Sequence, residues 1–144
     1  MSKNILVSAC LLGICCRYDG KGNPNESALA LLDREDITLI PVCPEQLGGM
    51  STPRIPSERW DDRVINGIGE DVTNCFSKGA EEALRIAQLN HCQYAILKER
   101  SPSCGCGKIY DGTFTGTLKD GNGVTTDLLL RAGIHVFGES QINL

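Results

Sequence analysis

The chain has 144 residues, 41% hydrophobic and 22% charged, and its 14 Lys and Arg against 18 Asp and Glu leave a formal net charge of -4. That length suits one domain with a full core, and the composition is ordinary for a water-soluble globular protein. The acidic balance argues against a broad nucleic-acid footprint, and no apolar run approaches the roughly 20 residues of a membrane span. Met1-Ser2-Lys3-Asn4 leads straight into an apolar run too short for a signal-peptide core, so the expected location is the cytoplasm.

In chain order, Asn4 to Ala9 is a continuous apolar run that reads as a central strand with Cys10 at its end. Leu11-Leu12-Gly13 turns toward Cys15-Cys16-Arg17-Tyr18-Asp19-Gly20, and Gly20, Gly22 and Pro24 keep the next stretch irregular. Asn25 can cap a helix from about Glu26 to Arg34, with Ala28, Leu29, Leu31 and Leu32 as its apolar side. A second strand, about Thr38 to Val42, ends at Cys43. Pro44 to Met50 opens a long loop holding Pro53, Pro56, Gly67 and Gly69, and structureless stretches of that length are functional or mobile. Its charges, Arg54, Glu58, Arg59, Asp61, Asp62 and Arg63, mix signs as a solvated surface does. Trp60 is either an anchor for the loop or a stacking surface.

Asp71 or Thr73 starts the best-patterned helix, which runs to about Leu89. Val72, Phe76, Ala80, Ala83, Leu84 and Ala87 recur at three- and four-residue spacings and mark its buried face. Tyr94 to Leu97 is a third strand. After Ser101-Pro102-Ser103-Cys104, the run Ile109 to Phe114 with Gly116 predicts a hairpin. Asp120-Gly121-Asn122-Gly123 turns into a last helix, about Thr125 to Ala132, and Ile134 to Phe137 makes a final parallel strand. This order predicts a single α/β domain over residues 1–144, three-layered, with a mainly parallel Rossmann-like sheet and long loops at the carboxyl ends of its strands. No GxGxxG or Walker pattern specifies a nucleotide cradle.

Three of the strands deliver a cysteine to the loop at their carboxyl end: Cys10, Cys43 and Cys104. In a parallel sheet those ends lie side by side, where open α/β sheets bind their ligands. Eight cysteines in a reducing compartment point away from a disulfide framework and toward metal binding or thiol chemistry. Cys75 and Cys92, in the long helix and its exit, lack a Gly/Pro-rich loop context and read as structural. Zinc normally takes four nitrogen or sulfur ligands, often in C-x-x-C knuckles; Cys15-Cys16 and Cys104-Gly105-Cys106 lack that spacing, and His91 and His135 fall at the opposite edge of the sheet. An iron–sulfur cluster held by three thiolates from three loops would leave one iron open as a Lewis acid. Spacing alone does not separate cluster, zinc and redox thiols.

The ordered set Val7-Ser8-Ala9-Cys10-Leu11-Leu12-Gly13, Cys16-Arg17-Tyr18-Asp19-Gly20, Val42-Cys43-Pro44-Glu45, Pro53-Arg54 and Ser101-Pro102-Ser103-Cys104-Gly105 resembles the thiouracil desulfidase family. The resemblance extends through Tyr110-Asp111-Gly112-Thr113-Phe114 to the last helix. It implies a [4Fe–4S] cluster on Cys10, Cys43 and Cys104 whose open iron takes the sulfur of a small thiopyrimidine, a thiouracil-type base or nucleotide. Water then replaces that sulfur without net redox change and sulfide leaves. Glu45 matches the family's acid/base residue and Ser101 its accompanying polar residue. Cys16 is not assigned to the cluster by the resemblance and is either a neighbour of it or a fourth ligand at rest. Cys15 and Cys106 match no required cysteine. Arg17 and Arg54 are anion contacts or loop-stabilising ion pairs. A module of another class also fits, a zinc or iron–sulfur protein that senses its ligand without converting it; Glu45 and Ser101 discriminate, since a passive site needs no proton relay.

Overall fold

The structure, a computed structural model, describes residues 2–144; Met1, part of the amino-terminal stretch read above, lies outside them. Strand β1 (Lys3–Ser8) runs into a 3-10 turn, Ala9–Leu12, that carries Cys10. Helix α1 (Glu26–Ala30) starts at Asn25, whose side chain accepts from the Ala28 amide at 2.9 Å, and it tightens into a 3-10 turn at Leu31–Asp33. Strand β2 (Ile37–Val42) leads through Cys43 directly into helix α2 (Pro44–Leu47), one turn long.

The stretch read as a long loop contains a hairpin, β3 (Ser57–Trp60) with β4 (Arg63–Asn66), paired antiparallel. Its turn is Asp61-Asp62 rather than a glycine-containing pair, and Asp61 takes a left-handed φ of 52° to close it. Helix α3 (Thr73–Leu89) buries Phe76, Gly79, Ala80, Ala83 and Ala87, the face that its spacing predicts. Strand β5 (Tyr94–Leu97) precedes the Cys104 loop. The predicted hairpin is present as β6 (Lys108–Tyr110) and β7 (Leu118–Asp120), but residues 111–117, Phe114 included, form its connecting loop and not strand. Helix α4 (Val124–Arg131) and strand β8 (His135–Gly138) close the chain.

The four-stranded sheet has the order β2-β1-β5-β8, parallel throughout. Alternate residues of β1 point to opposite faces. Ile5 and Val7, with Ile96, pack against Ala28 and Leu31 on one side. Leu6, with Ala95 and Leu97, packs against Ala83, Ala87 and Leu129 of α3 and α4 on the other. Helices therefore cover both faces, which is the predicted three-layer α/β architecture.

Two glycines set where α2 sits. A Cβ on Gly79 would stand 1.9 Å from the Pro44 carbonyl oxygen, and one on Gly48 would stand 2.0 Å from that of Cys75. Only bare backbone lets α2 lie flush on α3, and α2 carries Glu45 immediately after Cys43.

Candidate functional site

Strand β1 stands between β2, which follows it in sequence, and β5, which is reached by a crossover to the other side. The carboxyl edge at such a reversal is where a crevice opens in doubly wound sheets. A cavity of about 470 Å³ lies there, lined by Cys10, Cys16, Cys43, Cys104, Glu45 and Ser101 among others. All five residues singled out from sequence are thus on one cavity, with Cys16 added. Cys15, Cys75, Cys92 and Cys106 are outside it. Cys92 is in the core under α3, Cys15 is exposed, and the Cys106 Sγ faces the Val136 carbonyl at 3.8 Å. His135 stacks on Tyr94 at 5.6 Å, at the opposite edge of the sheet.

The four thiols have unequal environments. Burial pushes Cys10 up to about 11 and Cys104 up to about 12. A hydrogen bond with the Cys16 thiol brings Cys43 down to about 6, and the same bond, followed by burial, raises Cys16. The Cys43 thiol also donates to the Cys16 carbonyl at 3.6 Å, so these two residues meet at the cavity wall. Soft sulfur donors from three strand ends suit an iron–sulfur group. Among the described residues no three His, Cys, Asp or Glu side chains close on the position of a single ion.

The Cys104 loop is fixed from several directions. Ser101 Oγ accepts from the amides of Ser103 and Cys104, both at 3.0 Å. Thr126 Oγ1 donates to the Cys104 carbonyl at 2.9 Å, and the Ser103 and Thr125 hydroxyls meet at 2.8 Å. Gly123 lets α4 approach, since a Cβ there would lie 2.3 Å from the Ser103 carbonyl oxygen. Ser101 spends its oxygen on this loop, and its hydrogen is not donated to any protein group among the described residues.

Glu45 meets Arg54 at 3.1 Å. Burial raises its carboxyl above the usual range and the Arg54 guanidinium opposes that rise. Arg54 is 5% exposed and its fork is fully engaged: Nη1 donates to the Ser51 carbonyl and to Thr52 Oγ1, and Nη2 to the Cys16 carbonyl at 3.0 Å. Of the two readings open for Arg54, the loop-stabilising ion pair is the one the geometry supports. Arg17 likewise pairs with Asp19, at 3.7 Å, and lies over the Tyr18 ring.

Glu58 and Phe114 also line the cavity, and the sequence reading placed neither there. Glu58 was grouped with solvated charges because its alternation with buried Ser57 is visible only once the 57–66 hairpin is recognised. Its carboxylate accepts from the amides of Gly112 and Phe114, at 3.0 and 3.1 Å. Trp60 packs on Gly112, where a Cβ would fall 2.6 Å from Trp60 Cε3, while the residue stays 54% exposed.

The family profile for 2-thiouracil desulfurase matches residues 5–141. The chain belongs to the 2-thiouracil desulfurase family. A Bacillus subtilis (strain 168) protein, the uncharacterized YbbK, is 44% identical to it over 96% of this chain and 97% of its own length. A solved structure of the [4Fe-4S]-dependent thiouracil desulfidase TudS superposes with a TM-score of 0.91 at 45% identity, covering 98% of this chain and 93% of that one. The likeness spans every strand end described above. It agrees with the family resemblance read from the motifs and with the α/β fold.

Proposed function

We propose that this desulfurase-family chain removes sulfur from a thiolated pyrimidine by hydrolysis, giving the oxo base and sulfide with no net redox change. The observation that carries the reading is the convergence of three strand-end thiols, a buried carboxylate and an unspent hydroxyl hydrogen on one cavity. The TudS match, to a [4Fe-4S]-dependent enzyme, supports the cofactor. Cys10, Cys43 and Cys104 would hold the cluster, with Cys16 beside Cys43. When bound, a cluster with one iron not held by protein supplies a soft Lewis acid for the thiocarbonyl sulfur.

The protein's own groups divide the remaining work. Glu45, its carboxyl raised by burial, takes a proton from the water that adds to the thiocarbonyl carbon. As the carbon–sulfur bond breaks, the sulfur departs with the electron pair, takes up the proton held by Glu45 and then the one released when the added hydroxyl becomes the carbonyl, so the base keeps water's oxygen, H2S leaves, and no electron donor is needed. Arg54 holds the carboxylate in place, and Ser101 directs its hydrogen toward the pyrimidine. A passive sensing module needs no proton relay, so the activity of Glu45→Gln separates the two readings.

Protein purified without oxygen should contain about four irons and four acid-labile sulfides per chain and should release sulfide from 2-thiouracil. Glu45→Gln keeps size but exchanges no proton, so turnover should fall by about 10²–10⁴-fold with iron content unchanged. One zinc per chain and no labile sulfide would overturn the cofactor. Normal turnover by Glu45→Gln would remove Glu45 from the mechanism.

A further inference from the structure

The thiols and Glu45 form one side of the cavity, built from the strand ends. The opposite side is built from the β3–β4 hairpin and the 111–117 strap, and nothing above assigns it a task. Phe114 lines the cavity from that strap. Its backbone is left-handed, φ 57°, a conformation uncommon for any non-glycine residue and costly for a bulky one. Such a residue persists only where its surroundings over-determine it, and here they do. The Glu58 carboxylate accepts from the amide of Phe114 itself and from that of Gly112 two residues earlier. Trp60 packs against Gly112, and Phe114 Cε1 lies 3.9 Å from where a Cβ on Gly67, at the end of the hairpin, would be. The hydroxyls of Thr113, Thr115 and Thr117 bond one another in a chain along the strap, at 2.7 and 2.9 Å. All of this holds a phenyl ring out of the core. The ring is left 41% exposed on the wall of a cavity whose other wall carries the chemistry.

We infer that Phe114 is a stacking platform that selects a planar, aromatic pyrimidine ring, and that Glu58 positions it. The inference rests on the desulfuration reading for the identity of the ring. Phenylalanine offers no hydrogen bond, so its contribution to recognition is through its face, and offset stacking on a base is the contact that face makes best. A leucine there would fill similar space without a π system. The consequence is selectivity between an aromatic ring and its saturated counterpart, which differ little in size and polar edge but differ in planarity.

The test compares the cluster-loaded wild type with Phe114→Leu, Phe114→Tyr, Glu58→Gln and Glu58→Ala, using 2-thiouracil and 5,6-dihydro-2-thiouracil as substrates. Loss of one base–aromatic stack should raise KM for 2-thiouracil by about 5- to 100-fold in Phe114→Leu, with kcat within about threefold and iron content unchanged. The wild type should favour the aromatic substrate over the dihydro one in KM, and Phe114→Leu should erase that preference. Phe114→Tyr should keep it. Glu58→Gln retains the acceptor oxygen and should behave as wild type, whereas Glu58→Ala frees the strap and should follow Phe114→Leu. Unchanged KM and unchanged preference in Phe114→Leu would overturn the inference, as would equal losses of iron and kcat. If the wild type releases no sulfide, the desulfuration reading fails separately, and uracil binding followed by Trp60 fluorescence then decides the platform. Weaker binding to Phe114→Leu upholds it; equal binding, or none to the wild type, ends it.

Discussion

Arg54→Gln separates the two influences on Glu45. In the native site burial raises the Glu45 carboxyl and Arg54 restrains it. An opposite charge within about 4–6 Å typically lowers a carboxylate by about 1–3 pH units, and the pair here is at 3.1 Å. Removing the guanidinium leaves desolvation unopposed, so the Glu45 carboxyl should rise further. The sign follows from the role: the basic form is needed, so the acidic limb of the rate profile should move to higher pH. A structural cost comes with it. Arg54 is 5% exposed, and breaking a buried pair by removing one partner typically costs about 3–5 kcal/mol. The open Cys16, Ser51 and Thr52 acceptors add to that loss. Arg54→Lys restores charge without the fork and should recover most of the pH shift but little of the stability. The assay is kcat/KM for 2-thiouracil across pH, with iron content and thermal denaturation on the same samples. A profile of unchanged midpoint in Arg54→Gln, with the protein folded and loaded, would show that Arg54 does not tune Glu45.

Cys10→Ser, Cys43→Ser and Cys104→Ser should each empty the site of iron, because a harder oxygen suits an iron–sulfur core poorly, while Cys75→Ser and Cys92→Ser stay loaded. Iron retained by Cys43→Ser but lost from Cys75→Ser would break the convergence argument. Gly79→Ala should destabilise by about 1–3 kcal/mol, although alanine in a helix interior ordinarily gains up to about 1 kcal/mol over glycine, because its Cβ meets backbone oxygen at 1.9 Å. Thermal denaturation reads the sign, and a stabilised Gly79→Ala would mean that α2 is not held by close approach.

The sheet was legible because its central strands, β1 and β5, are buried and read as apolar runs, and three of its four strands lead into a site cysteine. The thiol set followed from that, since a parallel sheet brings carboxyl ends together whatever the side chains are. The β3–β4 hairpin was not legible. Its strands have four residues each, its turn is Asp61-Asp62 rather than Asn-Gly or Asp-Gly, and its half-buried positions carry Glu58 and Arg59, charges that in sequence mimic a solvated loop. Phe114 was misplaced for a related reason: aromatic residues favour strands, but a left-handed backbone forced by two amide bonds to Glu58 overrides that preference. Cys16 looked unassigned because its contact with Cys43 joins residues 27 apart, and no local pattern reports such a meeting.

The Cys104 loop explains how one serine can serve both the scaffold and the chemistry. Ser103, Thr125 and Thr126 are fully buried, and hydroxyls inside a core cost desolvation that valine or alanine would avoid. Each is satisfied, Ser103 and Thr125 by one another and Thr126 by the Cys104 carbonyl, so the network is neutral in energy rather than costly. What it supplies is uniqueness: apolar residues of similar shape would permit several loop conformations, whereas paired hydroxyls permit the one that aims Cys104 at the cavity. Because these bonds and the backbone link from Thr125 to Ser103 at 2.8 Å hold the loop from below, Ser101 has only to accept from above. Its hydrogen is left over at the cavity wall. The buried hydroxyls thus free a donor on the wall of the cavity that carries the thiols.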